Sequence, residues 1–131
     1  MTDERHADVV DLAGLAGAHD ASGPIWTHQS ADLNVNLLVL AGENAIPAHV
    51  NDEVDVLLVG VAGSGVVEDD SVEHPVGPGQ LLVIPKGARR AIRGAGDRFA
   101  YLTCHRRRAG LWPRNVPRPG ERHNAPGEDA R

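Results

Sequence analysis

The 131-residue chain has a single cysteine, Cys104, which excludes an internal disulfide framework, a cysteine-rich zinc site and dithiol redox chemistry. It has only four aromatic residues, Trp26, Phe99, Tyr101 and Trp112, too few for a base-stacking platform. Positive charge is in deficit. Thirteen Lys and Arg face 18 Asp and Glu for a formal net charge of −5, which argues against general nucleic-acid binding. No apolar run approaches the roughly 18 residues a membrane span requires. Asp3 and Glu4 without a following apolar stretch do not make a signal peptide. The expectation is a soluble cytoplasmic protein with no membrane and no nucleic-acid partner.

Hydrophobic residues make up 41% of the chain, enough for one core, while 15 Gly and 9 Pro favour short elements joined by turns. Charge is segregated along the sequence. Residues 1–85 hold fourteen acids and one base, Arg5, whereas residues 86–131 hold twelve bases and four acids. Complementary cross-strand pairs between the two halves are the ordinary outcome, with an anion site in the basic half as the functional one. The run Arg106, Arg107, Arg108 has no interleaved aromatics and reads as a solvated strand end.

Residues 1–23 form a lead-in segment in which Gly14, Gly17 and Gly23 cut short any helix suggested by Val9, Val10, Leu12 and Leu15. From residue 25 the pattern becomes β-type. Runs at 25–28, 33–41, 54–61, 65–68, 80–84, 88–92 and 98–105 are separated by Gly, Asn, Asp, Ser and Pro clusters, including 62–65, 69–71, 77–79 and 94–97. An all-β sandwich or barrel over residues 24–112 follows. Residues 113–131, rich in Pro, Gly and Arg with few apolar side chains, are expected to be a disordered tail. A short barrel with a modest core also exposes sheet edges, so a homodimer is expected.

Two glycine-framed stretches carry a resemblance. Residues 42–60 run Gly42, Ile46, Pro47, His49, Glu53 and Gly60, and residues 79–94 run Gly79, Pro85, Gly87, Arg90 and Gly94. In this spacing the chain resembles the cupin superfamily, whose first motif is G-x5-H-x-H-x3,4-E-x6-G and whose second is G-x5-P-x-G-x2-H-x3-N. The resemblance covers about residues 25–105 and implies a double-stranded β-helix, or jelly-roll, barrel with a pocket at one end. It also implies a divalent transition metal ion held by three histidines and a glutamate. Here His49 and Glu53 match that set, while Pro47 and Arg90 stand at the other two positions. Two protein ligands beside a permanent guanidinium charge disfavour a metal, so no cofactor is expected. If a metal is bound, His49 and Glu53 are its ligands, with His105 a remote third.

The same residues suggest other chemistry. His49, Asn51, Glu53 and Asp55 share parity, and an extended chain would point them together into the barrel. Arg90 is the natural partner for Glu53 and Asp55, either in a buried ion-pair network or, with His49, as the anion-gripping end of a pocket. Asn36, alternating with apolar neighbours as Asn34 does, is a further candidate to orient a ligand. Cys104 and His105 are adjacent on a strand and face opposite ways, so they make no catalytic dyad. The glycines of 60–65 lack the lysine and helix of a phosphate loop. The leading expectation is a cupin that binds a small polar or anionic molecule through His49, Asn51, Glu53, Asp55, Arg90 and Asn36. The alternatives are a metal-dependent cupin enzyme of dioxygenase or isomerase type using an altered ligand set, and a structural or regulatory interaction module.

Overall fold

The computed structural model describes residues 6–107. The expected tail at 113–131, and Trp112 with it, lies outside the described residues. The elements, in chain order, are α1 (Leu12–Gly17), β1 (Gly23–Gln29), β2 (Leu33–Ala41), β3 (Ala45–Val50), β4 (Val56–Asp69), β5 (Val72–Val76), β6 (Leu81–Ile84) and β7 (Arg89–Arg106). The all-β reading holds. The lead-in contains one six-residue helix, started by Asp11, whose carboxylate accepts from Gly14 N at 3.0 Å.

Two turn signals prove to be bends instead of breaks. The glycines of 62–65 lie inside β4 and those of 94–96 inside β7, and these two long strands pair with each other from Leu57 opposite Cys104 to Asp69 opposite Arg90. The register slips between Gly60 and Ala62 and between Gly63 and Gly65, as bulges that turn a strand from one layer into another. Glycine is required at the bend. Gly63 has φ +67°, and a Cβ there would collide with the carbonyl oxygen of Arg98, while a Cβ on Gly65 would enter the ring of Phe99.

Because the ribbon bends, all seven antiparallel strands form two layers. One is ordered β1-β2-β7-β4-β6, using residues 98–106 of β7 and 56–60 of β4, and the other β3-β7-β4-β5, using residues 89–94 of β7 and 65–69 of β4. The core between them joins Leu38, Leu40, Leu58 and Tyr101 of the first layer to Val67, Val76 and Ile92 of the second. Phe99 and Tyr101 stack inside it with centroids 5.0 Å apart. A smaller cluster packs Ala16 of α1 against Val39 and Ala100 on the outside of the first layer.

Strands β3 and β5 escape a reading by alternation because each contains a proline, Pro47 and Pro75. Both strands pair on one side only, with β7 and β4 respectively, where a missing N–H is tolerated. The expected charge complementarity is seen where Arg93 meets Glu73 at 3.2 Å, an exposed pair that contributes little to stability.

Candidate functional site

Inward-facing side chains change character along the barrel. On β2 and β7, paired positions run from Leu40 and Phe99 through Leu38 and Tyr101 to Asn36 and Thr103, then Asn34 and His105. One end is therefore apolar and the other polar. The polar end is crossed by the loop of residues 51–55. Asn51 O accepts from Gly87 N at 2.7 Å just before β7 begins, and Glu53 O accepts from Arg106 Nη2 at 3.2 Å where β7 ends. One short loop thus touches both ends of an 18-residue strand.

The polar stripe expected along residues 49–55 does not form, because the chain turns at Asn51. The buried Asn51 side chain folds back, its Oδ1 accepting from the backbone N of Glu53 at 2.9 Å and of Val54 at 3.3 Å. Such a turn breaks the period of two on which the stripe depended. His49 is half-buried and Asn51 buried, but Glu53 and Asp55 lie on the exposed side, where Asp55 Oδ1 accepts from Lys86 N at 2.9 Å.

Arg90 is 4% exposed and lies directly across from His49 in the β3–β7 ladder. A bulge arranges this. Ile46 pairs with Ile92 and His49 with Arg90, so three steps on β3 match two on β7, and the slip falls at Pro47 and Ala48. Without it Ala48 would face Arg90. His49 Nδ1 donates to Pro47 O at 3.0 Å, which leaves the lone pair of Nε2 facing Arg90 Nε, 3.5 Å away. A hollow of about 110 Å³ beside Arg90 is lined also by Ala48, Glu68, Ser71, Arg89 and Ala91.

The buried polar residues among those described are Asn51, Arg90, Thr103 and His105, all at most 6% exposed. Thr103 and Tyr101 were not singled out from the sequence, although their alternation with Leu102 and Cys104 is the signal of an inward row. His105 Nδ1 donates to Arg106 O at 2.9 Å. Asn36, half-buried, donates from Nδ2 to Asn34 Oδ1 at 3.0 Å and accepts from Thr27 Oγ1 at 2.8 Å. Among the described residues Asn51 Nδ2 and Thr103 Oγ1 are buried with no hydrogen-bond partner.

A divalent metal does not fit these donors. Among the described residues no three His, Cys, Asp or Glu side chains gather to hold one. The Nε2 lone pair of His49 that would ligate it faces a guanidinium N–H. A second cavity of about 930 Å³ lies outside the barrel, between residues 6–11 and β1, where Trp26 and His28 stack. No described helix is long and apolar enough to cross a membrane.

Comparison with known proteins gives the fold more clearly than the chemistry. No family model matches the chain. Protein SchB of Streptomyces halstedii is 37% identical over 68 residues, which are 52% of this chain and 49% of that protein, so the chain spans about half the length of this curated relative. The structure of TT1209 from Thermus thermophilus matches with a TM-score of 0.65 and 24% identity, over 79% of this chain and all of that one. The Cnp3 cupin domain of Schizosaccharomyces pombe matches with a TM-score of 0.57 and 9% identity, over 65% of this chain and 59% of that one.

Proposed function

Because this chain has the fold of the cupin superfamily, we propose that its barrel mouth binds a small anionic molecule, a carboxylate or a phosphate, through Arg90 and without a metal ion. The observation that carries this reading is a fixed positive charge, 4% exposed, against His49 and beside a hollow of about 110 Å³. A guanidinium has a planar fork of donors suited to either anion. His49, Asn51, Asn36 and Thr103 supply further hydrogen-bonding groups. The buried Asn51 Nδ2 and Thr103 Oγ1, without partners among the described residues, are costly to leave unpaired and gain a hydrogen bond when a polar ligand enters.

The test is a thermal-shift and calorimetric screen of small carboxylates and phosphate esters against the parent, Arg90→Gln and Thr103→Val. At least one class is expected to raise the parent's Tm saturably, and Arg90→Gln to weaken its binding by about tenfold or more. Thr103→Val, which removes a buried hydroxyl at constant shape, is expected to gain about 1 kcal/mol of ligand-free stability and to bind less tightly. A panel without effect on the parent, or equal binding by Arg90→Gln, overturns the reading.

A further inference from the structure

The inner face of the β1-β2-β7 sheet carries more hydrogen-bonding groups, at its polar end, than a small anion can use. In the strand register Thr27 stands opposite Asn36 and Asn36 opposite Thr103; in the next row Gln29 stands opposite Asn34 and Asn34 opposite His105. Directly paired residues of an antiparallel sheet project from the same face. That face is the inner one, because Leu38 and Tyr101, which precede these rows at the same parity, belong to the core. Strands lie about 4.8 Å apart and alternate residues about 6.8 Å apart, so the array covers about 10 Å by 7 Å. It contains no fixed charge and no apolar side chain.

Burial rises across both rows. Thr27 and Gln29 on β1 are exposed, Asn36 and Asn34 on β2 are half-buried, and Thr103 and His105 on β7 are 3% and 5% exposed. The array thus leads from solvent at β1 to the interior at β7, where buried Leu58 of β4, opposite Thr103, ends it. Its amides are already oriented, Thr27 Oγ1 donating to Asn36 Oδ1 at 2.8 Å and Asn36 Nδ2 to Asn34 Oδ1 at 3.0 Å. Two asparagine amides hold more donors and acceptors than these two bonds use. At the inner end Thr103 Oγ1 is buried with no hydrogen-bond partner among the described residues. Such a group is costly to leave unpaired, and a ligand hydroxyl, which both donates and accepts, satisfies it.

We propose that the anion assigned above to Arg90 is the end group of a polyhydroxylated carbon chain, whose hydroxyls bind to Asn34, Asn36 and Thr103. The inference rests on the anion reading for that end group. Arg90 shares the inward parity of Ile92, a core residue. The loop of residues 51–55 bonds to Gly87, shortly before Arg90, and to Arg106, next to His105. One short loop therefore holds together the two ends of β7 that carry the charge and the array.

Calorimetric titration of the full chain with matched pairs tests this: gluconate against hexanoate, and sorbitol phosphate against hexyl phosphate, each pair sharing its anion and carbon count. The hydroxylated member of at least one pair is expected to bind about tenfold or more tightly, the effect of one or two added hydrogen bonds. Asn34→Val, a residue that suits a strand, is expected to remove that preference by weakening the hydroxylated member alone. Arg90→Gln is expected to weaken both members. Should Asn34→Val fail to fold by circular dichroism, Thr103→Val, which keeps the side-chain shape, gives the same readout. Equal or tighter binding of the hydroxyl-free members, still dependent on Arg90, overturns this inference and leaves the anion reading standing. A preference for hydroxyls that survives the folded variants overturns it as well. Absence of binding by all four compounds overturns both readings.

Discussion

Position 90 shows how one side chain redirects a whole site. An imidazole there would offer a second lone pair beside His49, whereas the guanidinium offers only N–H donors and directs one of them at His49 Nε2. The prediction at this scale is therefore a gain. Arg90→His removes the fixed charge, releases the His49 lone pair and places two imidazoles across one ladder position. Zinc or nickel at about a hundred times its dissociation constant should then stabilise the variant by about 2.7 kcal/mol, read as a rise in Tm that the parent does not show under the same addition. Equal responses of variant and parent would mean that Arg90 is not what keeps the metal out.

At the scale of elements, the contrast among glycines is the sharpest test. Gly63 and Gly79 both have positive φ, +67° and +81°, but a Cβ at Gly63 meets backbone while one at Gly79 meets nothing within 4 Å. Gly79→Ala should cost about 1 kcal/mol, the penalty of the left-handed region alone. Gly63→Ala should cost about 3 kcal/mol or more, because the bend of β4 against Arg98 must also open. Urea denaturation midpoints of the two variants measure the difference. This contrast also shows where sequence reading ended. The turns at Gly79 and Gly87 were legible, since a frame of glycine and proline has one simple local meaning. At 62–65 and 94–96 the same residue type marks a bend inside a continuous strand, and only the partner strand decides between the two. Arg90 and His49 could be found by spacing, but their direct opposition depends on a bulge at Pro47, and a bulge reverses every parity argument beyond it. Glu53 and Asp55, sound candidates on alternation, lie on the exposed side because the chain turns at Asn51, while Thr103 belongs to a row that does keep its period.

For the whole molecule, the shared ribbon has a consequence for how the protein opens. Strands β4 and β7 belong to both layers, so neither layer can unfold while the other keeps its ladder intact. Amide hydrogen exchange should therefore show one cooperative unit where a two-layer protein would otherwise permit two. The amides of Val39, in the β2–β7 ladder, and of Val67, in the β4–β7 ladder, should exchange with free energies within about 1 kcal/mol of each other. Edge strands β1, β3 and β5 should exchange sooner by local fraying. Two separate plateaus for the layers would contradict this. A single plateau means that the ligand proposed above, if held where the loop of residues 51–55 joins the two ends of β7, would slow exchange as far away as the bend at Gly63, with no change in average structure between the two places.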